Sequence, residues 1–457
     1  MESLDGFWWD PKHPETRWPG TLNYGGPEGA NLKLLLEPAP LSADLLRQAF
    51  SSEIREYDFL LGDTTSGEKV TLLKAFNRST ENIFANAVIV GFHADGADPL
   101  ISTAAVVFRH LDEWWDRAAI SPDVSSGWPN LTLQYKEPDP IVVYEDSVLR
   151  ISVRSGLTGS HKRMEHSLRE EIRIEMTASS PIPLSEFQWR VDACKDLLSV
   201  ACHTVCQVEE LRLLPPRIDG ESRFEIGRFH AVPVLSDRDE ESRMWPNLLF
   251  HCGDIRDQTQ AIFTAWLHCA RPLLVVRSLY LSAVYGKAFL EVKLLHLTQA
   301  VEAYHRRCYD GLYMADQDFA TRVADALREA IPTGLDPSLR DSLKNRIKYG
   351  NEYSFVKRLT VLVIEHEAAL AAITPNLRKW PTKISERRNS FTHHPVIGGQ
   401  FHSIDREEII CCNYVLQTLL ECCFLKSMGM TSTQITTLAA RCARYGSIKR
   451  RFFADQK

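Results

Sequence analysis

The sequence predicts an α+β protein: a β-rich N-terminal domain, sandwich-like or barrel-like, followed by an all-α helical bundle. Three observations carry this reading. At 457 residues the chain is too long for one ordinary hydrophobic core. Short apolar, β-branched runs separated by turn residues fill its first half. From Gln258 onward the apolar spacing becomes that of helices nearly to the end.

In the first half the candidate strands are Val70–Phe76, Ile83–Phe92, Ile101–Arg109, Ile141–Tyr144 and Val148–Val153. Turn residues lie between them, as in His93-Ala94-Asp95-Gly96 and Glu137-Pro138-Asp139-Pro140. Arg169–Thr177 alternates charged and apolar residues, as a half-buried strand does. Leu184–Thr204 reads as a helix packed on this domain, and Val208–Leu214 as a further short strand. The polar stretch Ser236–Arg243 marks the expected boundary, giving domains of 1–245 and 246–457.

In the second half Leu290, Leu294, Leu297, Val301 and Tyr304 fall on one face of a long helix. Asp341–Tyr349 and Phe355–Ala372 read as further helices, and Pro381 and Pro395 bracket a short one. Glu407–Met428 is the last long helix, with Gly429 as its stop signal. Ile409, Ile410, Val415, Leu416, Leu419, Leu420, Phe424 and Leu425 make it more apolar than a single stripe requires. Part of that surface is expected in the bundle core, the rest against a second copy of the chain.

Composition narrows the function. A formal net charge of -6 argues against a general nucleic-acid-coating surface, so any nucleic-acid contact must be a local basic patch. The first residues, acidic and aromatic, do not read as a secretory signal. Ile409–Leu425 is interrupted by Asn413, Gln417 and Glu421 and falls short of the about 20 residues a bilayer span needs. No membrane association is expected. The 11 cysteines are scattered and odd in number, which suits small core residues in a reducing cytoplasm. Cys194, Cys202, His203 and Cys206 hint at ligand spacing, but they lie in a predicted amphipathic helix without a second matching pair. Neither a metal nor a cofactor is expected.

The chemistry concentrates between the two late prolines: Thr382-Lys-Ile-Ser-Glu-Arg-Arg388-Asn389-Ser390-Phe391-Thr392-His393-His394-Pro395. An arginine, a polar residue and then a histidine after a short gap resembles the motif of the HEPN ribonucleases. The fuller Arg-Asn-x-x-Thr-His, late in a helical domain, is similar to that of the ApeA-type HEPN proteins of bacterial antiphage defence. Gln299-Ala-Val-Glu302-Ala-Tyr304-His305-Arg306-Arg307 resembles the long first helix of those domains, and Leu343–Leu359 with Asn351-Glu352 also fits. The β-rich first half, with Gly20-Thr-Leu-Asn-Tyr24, resembles the ApeA N-terminal domain. Looser Arg-to-His matches, Arg154 to His161 and Arg223 to His230, lack the Asn and lie in the β-rich half.

The resemblance implies an endoribonuclease acting on an RNA substrate, with Arg388, Asn389 and His393 catalytic. It implies that two chains pair their motifs, so that the active form is a homodimer or a higher even oligomer. It also implies a defence role in which the N-terminal domain senses a phage-derived trigger or restrains the nuclease. The residue chemistry agrees. Asn389 and His393 are i and i+4 on one helix face. Pro395 disfavours helical geometry at His394, so the helix should end near His393. A histidine titrating near neutrality can move protons, and an always-charged arginine can bind two phosphate oxygens. Thr392, His394, Arg387, Lys383, Arg378 and Lys379, with the tail cations Arg441, Arg444, Lys449, Arg450 and Arg451, are candidates for holding the RNA backbone. Trp380 could stack a base or fill the core, and Glu302 could orient Arg388 or form a surface ion pair. Two other readings remain open. One is a non-catalytic bundle that binds RNA or nucleotide under control of the N-terminal domain. The other is an enzyme or binder centred on the β-rich half.

Overall fold

Six strands from the first ninety residues close on themselves. They are β1 (Glu2–Trp9), β2 (Trp18–Gly26), β3 (Gly29–Leu34), β4 (Glu56–Thr64), β5 (Lys69–Asn77) and β6 (Asn82–Val90). They pair antiparallel in the order β6-β3-β2-β1-β4-β5, and β5 returns to β6 to close a barrel. This is a computed structural model, describing residues 1–26, 29–35, 54–79, 81–123, 132–162, 165–217, 225–231, 247–392 and 405–454. Its two compact units are Met1–Leu267 and His268–Lys457. The polar stretch Ser236–Arg243 lies outside the described residues.

Alternation fills the barrel. Leu22 and Tyr24 from β2, and Ala30, Leu32 and Leu34 from β3, point inward at every second position. In β5 the inward residues are Val70 and Leu72 and then Ala75, because Lys74 adopts φ 49° and interrupts the alternation. The opposing strand answers with Val90 and Val88 and then Ala85 and Ile83. Trp8 is fully buried among them, its indole N–H donating to the Gly20 carbonyl at 3.0 Å. Gly62 makes room for that ring, since a Cβ there would sit 2.2 Å from it.

The remaining strands extend the same sheet from β6. These are β7 (Leu100–Phe108), β10 (Ile141–Glu145), β11 (Leu149–Lys162), β12 (Glu165–Pro183), β13 (Val208–Leu214) and β14 (Gly227–Ala231), in the order β10-β11-β12-β7-β13-β14-β6. A separate ribbon joins β8 (Ile120–Asp123) to β9 (Thr132–Tyr135). β6 is the seam. One edge pairs with β5, while the other pairs with β3 over Asn82–Ala85 and with β14 over Ala87–Val90. A short helix, α1 (Leu111–Trp115), and a long one, α2 (Leu184–Cys202), pack on β12, and α2 also covers β7. Cys194, Cys202 and Cys206 are buried in this unit, and among the described residues no three His, Cys, Asp or Glu side chains are grouped to hold a metal. The strand expected over Arg169–Thr177 is the middle of the 19-residue β12.

α3 (Thr259–Ala270) bridges the boundary between the units. The second unit contains α4 (Leu274–Tyr285), α5 (Leu290–Cys308), α6 (Pro337–Lys348), α7 (Phe355–Glu365), α8 (Trp380–Thr392), α9 (Arg406–Ser427), α10 (Ser432–Arg441) and α11 (Ala443–Phe452). The helix expected over Phe355–Ala372 instead breaks at His366 (φ -105°, ψ 18°), a buried residue with no Gly or Pro beside it to mark the break.

α9 is the centre of the bundle and packs against α4, α5, α8, α10 and α11. Its most apolar window has a mean hydropathy of 1.4 and is 83% buried, which makes it a core helix. Gly429, at φ 85°, ends it, and the Met430 N–H returns to the Leu425 carbonyl at 3.1 Å. The expected spare apolar face is not there. Ile409, Val415, Leu416, Leu419, Leu420, Phe424 and Leu425 are 0–1% exposed, and Ile410 alone of the eight is partly exposed. So many neighbours surround α9 that its excess hydrophobicity is consumed within one chain. Glu421, also fully buried, is satisfied by donors: Oε1 accepts from the Tyr280 hydroxyl at 2.6 Å and from Gln417 at 2.9 Å, and Oε2 accepts from Tyr445.

Candidate active site

α8 begins Trp380-Pro381, with proline in the first turn, where a missing N–H costs no helical bond. Trp380 is 1% exposed and meets Phe453 edge-on, with ring centroids 5.7 Å apart. Lys379 and Lys383 lie 5.4 and 5.8 Å from its ring. The indole is therefore a core residue that fixes the start of the helix, and its buried face is closed to a stacking base.

Two turns later the helix presents Arg388. Its Nη2 donates to Glu302 Oε2 on α5 at 3.1 Å, and its guanidinium carbon lies 4.6 Å from the ring centroid of Phe355, the first residue of α7. Three helices thus meet at one arginine. The carboxylate fixes it laterally and the aromatic face supports it from beneath. The Arg388 side chain remains 30% exposed, enough to meet a ligand. Asn389 follows on the exposed surface of α8, and Thr392 is its last residue. His393 and His394 lie outside the described residues.

Glu302 is shared. Its Oε1 accepts from Arg306, one turn on along α5, at 3.2 Å, while Oε2 serves Arg388. Each oxygen therefore has its own guanidinium, a geometry that holds the carboxylate in one rotamer. The Glu302–Arg306 spacing of i, i+4 is readable in the sequence; Phe355, 33 positions upstream of Arg388, carries no local signal.

The neighbouring cations are also engaged. Lys383 reaches Glu408 Oε1 at 3.1 Å, and Arg387 donates to Glu408 Oε2. Burial alone would raise the Glu408 carboxyl, but hydrogen bonds from Lys383 and Arg387 bring it below its ordinary range. Glu408 sits in the first turn of α9, where the helix dipole also favours a negative charge. Lys383 and Arg387 thus tie α8 to α9.

Beneath the site lies His305, 1% exposed, its ring stacked on Tyr309 at 4.7 Å. Burial, then the positive charge of Arg358 and Arg306, pushes its pKa down to about 4. It is a neutral core histidine, hidden from any substrate.

Comparison with known families gives two matches. Residues 3–266 match the family described as ApeA N-terminal domain 1, and residues 295–434 match Apea-like HEPN. The second range contains Glu302, Phe355, Arg388 and Glu408. No curated protein and no solved structure gives a significant match.

Proposed function

The chain belongs to the ApeA-like HEPN family, whose helical domain carries a ribonuclease-type role, and from that premise we propose that its second unit is a metal-independent endoribonuclease. RNA supplies the nucleophile. A 2′-OH gives its proton to a base, its oxygen bonds to the adjacent phosphorus, the P–O5′ bond breaks, and the departing 5′ oxygen takes up a proton. His393 exchanges these protons, and Arg388 binds the phosphate oxygens whose charge grows as the fifth bond forms. Asn389, beside Arg388 on α8, adds a donor to the same phosphate. The observation that supports this reading is the seating of Arg388: braced by Glu302 and Phe355, yet still 30% exposed. A positively charged fork held in place before substrate arrives loses little on binding a phosphate.

Two copies with their α8 helices facing would place two arginines and two histidines around one strand of RNA. The β-barrel unit then serves as the sensor or restraint, released by a phage-derived trigger, and cleavage of cellular RNA halts phage growth in the infected cell.

The test is purified protein incubated with RNA in EDTA. Cleavage should persist and leave a 2′,3′-cyclic phosphate, or the 3′-phosphate from its hydrolysis, and a 5′-hydroxyl. DNA should resist, and Arg388→Ala and His393→Ala should be inactive while folded. Activity lost in EDTA and restored by magnesium, with 5′-phosphate ends, would replace this chemistry with a two-metal one. RNA binding without cleavage by the wild type would favour the non-catalytic scaffold.

A further inference from the structure

Between α5 and α7 the chain leaves the bundle. It forms the helical segments Asp316–Phe319, Ala320–Ala324 and Asp325–Glu329 and then α6, and of all their residues only Ala324 is buried. This arm departs and returns through a stapled junction. Leu312 and Glu352 form an antiparallel bridge, flanked by Tyr313 N–H to the Asn351 carbonyl at 2.9 Å and Tyr353 N–H to the Gly311 carbonyl at 2.8 Å. The Asn351 side chain closes it further, donating to the Met314 carbonyl and to Asp316 at 2.9 Å each and accepting from the Met314 N–H at 3.1 Å.

Glu352, at this junction, faces the active site from behind. Its Oε2 accepts from Arg306 and from Arg358 Nη2, the latter at 3.2 Å. Arg358 is 2% exposed and is itself fixed by the Tyr353 carbonyl at 3.0 Å and by His305 Nδ1 at 3.1 Å. Gly311, at φ 65°, makes room for it, since a Cβ there would sit 2.4 Å from Arg358 Nη1. The result is an unbroken alternation of charge: Arg358, Glu352, Arg306, Glu302, Arg388. Its buried end is rigid and its exposed end is the phosphate-binding arginine.

We propose that Glu352 is a positioning residue for Arg388. This role rests on the ribonuclease reading above. Glu352 draws Arg306 toward the junction, so that Arg306 holds one Glu302 oxygen and leaves the other to Arg388. Without that pull Arg306 competes for both oxygens of Glu302, and Arg388 loses the partner that orients it. Glu352 touches no substrate; it acts through two intervening side chains.

The test is a double-mutant cycle on full-length protein with an RNA substrate. Glu352→Gln should lower kcat by about tenfold with KM changed by less than about twofold. Glu352→Asp, which keeps the charge, should recover part of that loss. In an Arg306→Gln background Glu352→Gln should add nothing, because the link it acts through is already cut. A purely structural role would give the same loss in both backgrounds, and that result, or an unchanged kcat in folded Glu352→Gln, overturns the proposal. If Glu352→Gln does not fold, Glu352→Asp takes its place: kcat must fall in the otherwise wild-type chain and not in Arg306→Gln, where the competing guanidinium is absent, and a wild-type kcat overturns the proposal. A wild type that cleaves RNA while these variants match it removes only the role of Glu352. A wild type that cleaves nothing removes the ribonuclease reading and this role together.

Discussion

Arg388 rests on the face of Phe355, its guanidinium carbon 4.6 Å from the ring centroid, so the arginine expected to bind phosphate has an aromatic floor as well as a carboxylate wall. Phe355→Leu keeps most of the apolar bulk and removes the π-face. A partly exposed cation–π contact contributes about 0.5–1 kcal/mol, so cleavage should fall by roughly two- to fivefold, with the melting temperature nearly unchanged. Arg388→Lys should fall much further, because an ammonium cannot present the planar fork. Steady-state kinetics of both variants decide the matter; equal losses would mean that charge alone is used.

His305 ties stability to pH. Its pKa is pushed down to about 4 in the folded chain, against an ordinary value near 6.5. The unfolded chain therefore takes up a proton between these values that the folded chain refuses, and stability drops as pH falls from about 6.5 toward 4. His230 and His366, also lowered by burial, add to the same slope. Urea unfolding of the wild type and His305→Gln at pH 7 and pH 4.5 isolates the contribution. The variant should start less stable and lose less on acidification; equal losses would show that the ring does not titrate in this window.

Gly62 is required by Trp8. Gly62→Ala brings a methyl group to 2.2 Å from the indole, inside the barrel, where nothing can yield without disturbing neighbouring strands. Such overpacking costs about 1–3 kcal/mol. The first unit should melt several degrees lower by differential scanning fluorimetry, while RNA cleavage by the second unit at low temperature is retained. An unchanged melting temperature would mean that the ring has room to move.

Any assembly of this chain must use a surface other than the apolar side of α9. Because seven of the eight apolar side chains singled out there are buried within one chain, Leu416→Glu should unfold the bundle, not separate two folded copies. If two α8 helices build one cleft, specific activity should fall on dilution as dimers dissociate. Cleavage rates over a concentration series, read beside light scattering, test this. A monomer whose specific activity is constant on dilution would place the whole site in one chain.

Helical periodicity made α5 readable in advance, bracketing prolines marked α8, and a long apolar run ended by Gly429 marked α9. Arg388 stands out on α8 through the resemblance of its motif to that of the HEPN ribonucleases, and in the sequence Glu302 reads equally as a brace for Arg388 or as part of a surface ion pair; the two side chains meet at 3.1 Å. What stayed hidden depends on distant chain. β1 and β2 carry Asp, Gly, Pro and Asn among their aromatic residues, which blurs the pattern that would announce a strand. The segments Asp316–Phe319 and Asp325–Glu329 bury nothing, so no apolar stripe reveals them. Glu408 and Glu352 were unreadable as clamps, since their partners are set by how helices pack. Apolar surplus on α9 was visible, but whether a neighbouring helix or another chain covers it is not a local property.

The divided edge of β6 also carries information about timing. Every strand of the barrel comes from residues before Gly91, so closure can proceed on a nascent chain as soon as those residues have emerged. Ala87–Val90 then waits for Gly227–Ala231, the strand that covers its outer edge. During that interval the growing polypeptide displays a bare, apolar β-edge, the kind of surface that recruits other strands. A fragment ending between these points would carry a closed barrel with one uncovered edge, open to pairing with a strand of another chain.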